Sequence, residues 1–504
     1  MPTEPPAPAG PEYDLKEDDY ALDQTHRFYL REMEMPFSDD VADMPQWHGA
    51  ALIIGENALG EALTRRIEAS GNTVRQLPIS DNLDETIAAF DRIWSEQPTP
   101  HVFIVTPREA LADPTDETAW KRRWYRTVLL PYFLCQRWVQ RASEAKLLKQ
   151  CTLVAATRLN GTIGFTGPIE SPESGALTGL IKSIYIEVGY MRNNKELRTK
   201  VVDAPDDEPV DSLAANICRD LASREVDYET AYAGGKRFVQ CAYPEKAPVR
   251  KQANIRPGGT WVITGGGRGI TAACALELGK RFGLKLHLIG NSPVRPIDSA
   301  WRNLSTDEMK ALKGQVMRDA RAAGQPMDSA WSRAQRDIEV DRCLRAFDEA
   351  GVDYTYHACD VSDRAALAGV LDTIRATSGP IDGLLHGAGV ERAAGYEKKT
   401  FESVQATIGS KVEGALNLML LTMDDPIGWF IGFGSISGRL GGNGQTDYGM
   451  ASDMLCKLAT WYRDRRPGVR SVSFHWHAWD EIGMAARPES ATALRMGDGP
   501  ERMP

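Results

Sequence analysis

The sequence predicts an α/β protein built from two tandem, doubly wound parallel sheets, the second of which carries a helical insertion. Short apolar runs alternate with helical patterns over residues 49–245, and the alternation restarts at residue 260, after a proline-containing basic linker at 246–259. Residues 296–350 interrupt the second half and are too long for a plain loop, so we interpret them as a helical insertion. For 504 residues, a length prior of ~150 residues per domain allows about three domains at most.

Residues 1–48 are predicted to be an acidic, proline-rich leader or interdomain linker. Five prolines fall within residues 1–11, and residues 1–50 contain 12 acidic and 3 basic residues. The stretch 18–33 has apolar residues whose spacing favours a short amphipathic helix, namely Tyr20, Leu22, Phe28, Tyr29 and Met33.

Buried strands are predicted in both halves, because a strand covered on both faces shows a continuous apolar run. In the first half these runs are 51–55, 101–105, 151–156 and 199–204, with helical patterns between them, one around Trp124 to Trp138. In the second half they are 260–264, 284–290, 353–360, 381–389, 428–435 and 470–476. Inside the insertion, a capping-box pattern from Ser305 to Glu308 predicts the start of a charged helix, and a second helical run follows.

The composition of the chain excludes some classes of function. Hydrophobic residues make up 42% and charged residues 25%, which is ordinary for a globular protein. The chain shows no basic stripe and no apolar run of ~18 residues, so neither a nucleic acid nor a membrane is an expected partner. It starts without a secretory signal, and its eight cysteines form no C-x-x-C pair. We therefore expect a cytoplasmic protein without a metal site.

The strongest motif is TWVITGGGRGIT at 260–271, in which a strand leads through closely spaced glycines into a helix. Gly265 and Gly267 would let the backbone turn and approach a ligand, and Gly269 would let helix and strand pack closely. The free N–H groups at the helix N-terminus can then bind a pyrophosphate. The motif predicts a dinucleotide-binding, Rossmann-like fold in this half; a tight turn without a ligand is the alternative.

Charge near the second strand favours NADPH as the dinucleotide. An acid usually binds the ribose there when the 2′-phosphate is absent, but this sequence has Asn291 and Ser292. Arg268 lies in the glycine loop and Arg295 follows shortly after the strand. Asp360, at the end of the third strand, could accept a hydrogen bond from the adenine amino group or could cap the next helix.

A second group of residues suits carbonyl reduction. Ser435 ends a strand, Tyr448 follows 13 residues later in the predicted first turn of a long helix, and Lys411 lies near the start of another helix. A tyrosine hydroxyl can donate a proton if a neighbouring cation lowers its pKa from ~10, and a serine hydroxyl can bind the same oxygen. Taken alone, Tyr448 would more often be a packing residue.

Together these motifs resemble a known family. Residues 258–484 are similar to the ketoreductase domains of type I polyketide synthases and multifunctional fatty acid synthases, which are extended short-chain dehydrogenases/reductases. The matching segments are TGGGRGIT, CDVSD, HGAGVE (386–391), SKVEGALNL, FGSISGRLGGNGQTDYGMASD and FHWHAWDEIGM. Residues 49–245 resemble the structural half of the same domain through RLNGTIGFTGP (158–168) and GALTGLIKSIYIEVG (175–189). TGGGRGIT and the insertion look most similar to the polyunsaturated fatty acid synthase type.

The resemblance implies reduction of a β-ketoacyl thioester to a β-hydroxyacyl thioester with NADPH. The substrate would be tethered to the phosphopantetheine arm of an acyl carrier protein, and other synthase domains would be partners, within a parent synthase that could be a homodimer. Tyr448 would be the proton donor, Ser435 its partner on the carbonyl oxygen, and Lys411 the cation. The candidate cofactor-binding residues are Thr264, Gly265, Gly266, Gly267, Arg268, Gly269, Ile270, Asn291, Ser292, Asp360, Val361, His386, Gly387, Ala388 and Gly389.

Three departures from the family pattern keep alternatives open. Ser452 stands where such domains have asparagine, one helical turn after Tyr448, and could act through water in the same role. Asn291 stands where an arginine is common, and the loop after HGAGV reads ERAAG, without the Leu-Asp-Asp triplet of one stereochemical class. A catalytically silent structural domain and a free-standing reductase of small ketones are the alternative functions. We also expect 260–504 to be truncated at its C-terminus, as a fragment of a longer protein.

The first half is predicted to be degenerate. Its first turn, GENALGEAL, contains Gly55 and Gly60 but no third close glycine and no basic residue. No tyrosine–lysine pair has catalytic spacing near 175–189. We therefore expect residues 49–245 to support the other half and to bind no cofactor; a second active site is the alternative.

Overall fold

The continuous apolar runs form the central strands of two separate sheets, as the sequence predicts. The computed structural model describes residues 27–38, 40–47, 49–223, 227–245, 254–479 and 482–483. Among these residues, no helix combines the length and apolar character needed to cross a bilayer.

The first half is organised around an eight-stranded sheet of order β1-β8-β7-β6-β5-β4-β2-β3. The strands are β1 (Arg27–Glu34), β2 (Ala51–Ile54), β3 (Val74–Gln76), β4 (His101–Ile104), β5 (Thr152–Thr157), β6 (Arg198–Asp203), β7 (Glu229–Ala233) and β8 (Lys236–Glu245). The helices are α1 (Ala58–Ala69), α2 (Leu83–Glu96), α3 (Glu117–Trp124), α4 (Leu130–Glu144), α5 (Gly175–Ile184) and α6 (Val210–Ala222). Strands β2 to β7 pair in parallel, whereas β8 is antiparallel to both β7 and β1.

Part of the predicted leader belongs to this sheet. The helix predicted over 18–33 is wrong for residues 27–33, because they form β1, which pairs with β8 from Arg27↔Glu245 to Glu34↔Phe238. A strand at this edge satisfies the backbone groups of β8 that would otherwise be unpaired. Residues 18–26 lie outside the described residues.

The second half contains a six-stranded, all-parallel sheet of order β11-β10-β9-β12-β13-β14. Its strands are β9 (Thr260–Thr264), β10 (Lys285–Gly290), β11 (Tyr354–Ala358), β12 (Ile381–His386), β13 (Trp429–Phe433) and β14 (Arg470–Phe474). Its helices are α7 (Gly269–Phe282), α8 (Thr306–Ala322), α9 (Met327–Glu349), α10 (Arg364–Ser378), α11 (Phe401–Ile408), α12 (Gly414–Leu421), α13 (Ile436–Leu440) and α14 (Thr446–Arg465). The predicted insertion is confirmed as α8 and α9, and the capping box of Ser305 and Glu308 is present at the start of α8.

The two halves are joined by helix packing and by buried charge. Helix α5 of the first half packs along α14 of the second, and a methyl group added at Gly179 would overlap the carbonyl oxygen of Gly449. In the same interface, the buried Lys182 ammonium lies 2.8 Å from a Glu229 oxygen and 3.1 Å from an Asp453 oxygen. The first half therefore holds the helix that carries Tyr448.

Candidate active site

A cleft of about 770 Å³ opens at the carboxyl ends of the second sheet. It lies where the strand order reverses between β9 and β12, which is the position at which doubly wound sheets bind ligands. Its walls come from the glycine turn, the ends of β10 to β13, the start of α14, and the inserted helix α9.

The glycine turn after β9 leads into α7 and lines the cleft. Gly265 has φ +74°, and a Cβ there would lie 2.8 Å from the backbone of Gly387 and Ala388. Arg268, which precedes α7, makes no side-chain cap, and Gly269, Ile270 and Thr271 of the first helical turn line the cleft. Gly269 differs from our expectation: the nearest atom to an added Cβ is 3.8 Å away, so its φ of +64° and not close packing requires glycine.

Three of the predicted cofactor-binding residues, Thr264, Gly266 and His386, do not line the cleft but pack behind the residues that do. Gly266 packs on Ile263 and Leu288. The ring of His386 lies between the Thr264 hydroxyl, at 2.8 Å, and the Lys411 carbonyl oxygen, at 2.9 Å. Burial lowers the pKa of His386 to about 3, so the ring is neutral and connects the glycine turn to the helix that carries Lys411.

The other predicted cofactor-binding residues line the cleft. They are Gly265, Gly267, Arg268, Gly269, Ile270, Asn291, Ser292, Asp360, Val361, Gly387, Ala388 and Gly389. Asp360 accepts hydrogen bonds from the backbone and hydroxyl of Ser362, at 3.0 and 2.7 Å. It is not the cap of the next helix, because Asp363 caps α10.

The end of the cleft at Asn291 and Ser292 carries acids that the sequence did not reveal. Arg268 pairs with Glu339 at 3.0 Å, and Arg295 pairs with Asp337 at 3.8 Å. Both acids belong to α9. The end of β10 carries no acid, as its sequence shows, but α9 brings two carboxylates to this part of the cleft.

Ser435, Lys411 and Tyr448 line the same cleft, and the Lys411 ammonium lies 4.7 Å from the centre of the Tyr448 ring. Tyr448 is in the first turn of α14, and Ser435 precedes the short helix α13. Lys411 lies in a π-helical turn, Gly409–Glu413, between α11 and α12, and not near a helix start. Such turns widen the helix locally and are frequent at functional sites.

The sequence suggested that a neighbouring cation lowers the pKa of Tyr448, and the structure gives a different result. Burial raises the pKa of Tyr448, and the charge of Glu391 raises it further. Burial also lowers the pKa of Lys411 to about 7. Lys411 therefore carries a full charge only below neutral pH, while Tyr448 keeps its proton well above it.

Ser452 occupies the expected place on α14 but is separated from the cleft. It is fully buried, its hydroxyl has no hydrogen-bond partner among the described residues, and it does not line the cleft. A role for Ser452 in a proton path is therefore not supported by its position.

A polar chain in the cleft was missed from the sequence. The Ser437 hydroxyl donates to Gln445 at 2.7 Å, and the Gln445 amide donates to Glu391 at 3.1 Å. Ser435 donates to the Ser437 hydroxyl at 3.2 Å. The motif FGSISGRLGGNGQTDY contains three of these residues, but only the fold places Glu391 beside them.

In the first half, the equivalent turn is closed to a phosphate. The Asn57 side chain accepts hydrogen bonds from the N–H groups of Leu59 and Gly60, both at 3.1 Å. A Cβ on Gly55 would lie 2.8 Å from the Thr106 nitrogen, so the neighbouring loop already fills the approach to the turn. The N–H groups that α7 leaves available are thus occupied in α1.

Comparison with known proteins agrees with this arrangement. The KR domain family matches residues 259–481. A polyunsaturated fatty acid synthase polypeptide of Thraustochytrium sp. is 27% identical over 344 residues, which are 65% of this chain and 12% of that protein. Polyketide synthase PksL of Bacillus subtilis is 26% identical over 284 residues, or 54% of this chain and 6% of that protein. The chain thus spans a small part of the length of these relatives.

Solved structures show the same fold. An A1-type ketoreductase superposes with a TM-score of 0.68 at 21% identity, over 95% of this chain and 88% of that one. A ketoreductase from the macrolactin assembly line gives 0.64 at 19% identity, over 90% and 84% of the two chains. The KR domain family thus matches residues 259–481, and the chain has the two-sheet fold of the solved polyketide synthase ketoreductases.

Proposed function

We propose that this protein reduces a β-ketoacyl thioester to a β-hydroxyacyl thioester with NADPH. The observation that carries the proposal is that Tyr448, Ser435 and Lys411 share one cleft with an uncapped glycine turn. A phosphate-binding turn at one end and a proton donor at the other match a reaction that needs a dinucleotide and a proton.

The chain's residues fit the cofactor. An added Cβ would collide with neighbouring residues at Gly265 and Gly267, and the start of α7, where Arg268 makes no side-chain cap, offers N–H groups for the pyrophosphate. When bound, NADPH would supply the hydride that the carbonyl carbon gains. The residues Gly387 to Gly389, which line the middle of the cleft, would lie under the nicotinamide.

Tyr448, Ser435 and Lys411 would stabilise and protonate the carbonyl oxygen of the substrate. As the C=O bond is reduced, its oxygen gains negative charge, and Tyr448 would donate its proton to that oxygen. The Ser435 hydroxyl would donate a second hydrogen bond, which stabilises the same charge. Lys411, 4.7 Å from the centre of the Tyr448 ring, would stabilise the tyrosinate that remains.

The carrier-bound substrate is proposed from the relatives, which are named as polyketide and polyunsaturated fatty acid synthases. In this view an acyl carrier protein presents the thioester on its phosphopantetheine arm. The silent-domain alternative rested in part on Ser452, and that residue does not line the cleft, so the substitution does not remove a group from the proposed reaction site.

The test is NADPH oxidation by the purified chain with a short β-ketoacyl pantetheine thioester. Tyr448→Phe is the matched control, since it removes one hydroxyl and keeps the ring. We expect turnover by the wild-type protein and a loss of about 10²- to 10⁴-fold in the variant with cofactor affinity retained. No turnover with either thioesters or simple ketones would favour the silent domain, and a preference for simple ketones would favour the free-standing reductase.

A further inference from the structure

The inserted helix α9 forms one wall of the cofactor cleft. Its residues 335–342 line the cleft, as do the glycine turn, Asn291 and Ser292. Helix α9 packs against α7, which starts at that turn. A segment outside the two sheets therefore contributes charged side chains where the adenosine end of a dinucleotide would lie.

Of the two arginines that the sequence suggested for the 2′-phosphate, Arg268 is paired with an acid of α9 at hydrogen-bond distance, 3.0 Å from Glu339. A phosphate that approached Arg268 would also approach this carboxylate, which opposes its charge. Arg295 lies 3.8 Å from Asp337, too far for a hydrogen bond, and its side chain is exposed.

Arg336, on α9, lies almost as far from Asp337 as Arg295 does, but part of its guanidinium group is buried. Its Nε is buried without a hydrogen-bond partner, and its closest acidic atom among the described residues, an oxygen of Asp337, is 3.9 Å away. That distance is too long for a hydrogen bond. A buried guanidinium nitrogen without a partner is costly unless a ligand satisfies it.

The surroundings of Arg336 place it beside the strand end. Arg336 and Arg268 line the cleft together with Tyr356, and their charges oppose the rise that burial gives the pKa of Tyr356. The Tyr356 hydroxyl donates to the carbonyl oxygen of Ser292 at 2.8 Å. Its ring also lies 2.9 Å from the position of a Cβ on Gly267. Arg336 therefore adjoins both the glycine turn and the residues that follow β10.

We propose that Arg336, a residue of the insertion, binds the 2′-phosphate of NADPH and determines the preference for NADPH over NADH. The inference rests on the cofactor site of the proposed function. In this arrangement Glu339 holds Arg268 in place as part of the wall, and Arg336 makes the direct contact with the phosphate. A charge-assisted contact of this kind is worth roughly 10- to 150-fold in affinity.

The experiment measures the dissociation constants of NADPH and NADH separately, by calorimetry or nucleotide fluorescence without any thioester. We expect Arg336→Gln to weaken NADPH binding by about 10- to 150-fold and to change NADH binding by less than about twofold. Arg333→Gln is the matched control, because Arg333 is an exposed arginine one turn earlier on α9 that does not line the cleft. Arg336→Lys, which keeps the charge but loses the planar fork, should give an intermediate loss.

The inference is overturned if Arg336→Gln leaves the affinity for NADPH unchanged, or if it weakens NADPH and NADH equally, which would assign Arg336 to the pyrophosphate. Arg268→Ala serves as the second comparison. If this variant loses more of the preference for NADPH over NADH than Arg336→Gln does, the 2′-phosphate contact belongs to Arg268 in the glycine loop and the inference is overturned. If the wild-type protein binds neither nucleotide, the cofactor site and the proposed function fail together.

Discussion

The ammonium group of Lys411 lies 4.7 Å from the centre of the Tyr448 ring and donates its hydrogen bond to the carbonyl oxygen of Phe433, at 2.9 Å. The lysine thus faces the tyrosine ring, while its hydrogen bond ties α11 and α12 to the end of β13. Since Lys411 is fully enclosed, its charge is not screened by water, and its charge state controls the electrostatics of the site.

We expect the alkaline limb of the pH–rate profile to report Lys411. Burial lowers the pKa of Lys411 to about 7, so the protonated fraction falls as the pH rises through that value. The stabilisation of a tyrosinate is then lost, and kcat/KM should fall by about tenfold per pH unit above the midpoint. The profile should be measured with NADPH and a β-ketoacyl pantetheine thioester.

Lys411→Arg is the control for this assignment, because a guanidinium does not titrate in this range. Its residual activity should show no limb near pH 7. Because burial raises the pKa of Tyr448, a limb that depended on the tyrosine would appear above pH ~10. A wild-type profile that is flat from pH 6 to about 9 would contradict the role of Lys411.

The strand ends of the second half could be predicted because their signal is local. A strand buried on both faces needs apolar residues throughout, and the glycines after β9 are required by backbone conformation at the same place. Every predicted strand of that half is present within a few residues of its expected bounds. The cleft follows, since parallel strands end at one edge.

Strand β1 could not be predicted in the same way. The apolar residues of 27–34 fit a helix as well as a strand, and the choice is made by pairing with β8, about 200 positions later in the chain. The wall formed by α9 was missed for a related reason: the capping box predicts the start of α8, but packing against α7 decides which side chains reach the cleft.

Ser452 is expected to affect stability more than rate. Its hydroxyl is fully buried without a partner, which costs about 1–3 kcal/mol, so Ser452→Ala should raise the free energy of unfolding and leave turnover unchanged. Ser452→Asn would restore the residue usual in the family, and the sequence alone suggests that this change is neutral or activating. In the structure, Gly438 packs so closely that its Cβ position lies 3.0 Å from the Ser452 Cβ.

The asparagine side chain should therefore be overpacked, at a cost of about 1–3 kcal/mol. Urea denaturation and steady-state turnover of both variants measure the two effects. A Ser452→Ala protein of unchanged stability but strongly reduced turnover would show that the hydroxyl takes part in the reaction.

One NADPH molecule is expected to bind per chain, in the second half. Asn57 occupies the N–H groups of α1, whereas those of α7 are free of any side-chain cap. Gly269→Asp places a carboxylate at the uncapped turn and should abolish binding. Gly269→Asn, which has nearly the same shape and also tolerates positive φ, should retain most of it.

Calorimetric titration gives both the stoichiometry and the effect of each variant. A titration that shows two equivalent sites would contradict the closed state of the first half. Equal losses in Gly269→Asp and Gly269→Asn would instead show that shape and not charge is limiting at the turn.

The contact between Gly179 on α5 and Gly449 on α14 should make the two halves interdependent. Alanine normally stabilises a helix relative to glycine by about 1 kcal/mol, but a methyl group at 179 would overlap the Gly449 carbonyl oxygen. We expect Gly179→Ala to lower the free energy of unfolding by about 1–3 kcal/mol, as overpacked sites do. Gly369→Ala on α10 is the matched control, since its added methyl group meets no atom within 4 Å, and it should be neutral or stabilising.

Gly449 directly follows Tyr448, so a forced separation of α5 and α14 displaces the proton donor as well. The turnover of Gly179→Ala should therefore fall by more than its affinity for NADPH, because the glycine turn lies on the far side of the cleft. Denaturation curves, nucleotide titration and turnover of the two variants separate these effects. If Gly179→Ala is as stable and as active as Gly369→Ala, the packing of the first half against α14 does not position Tyr448.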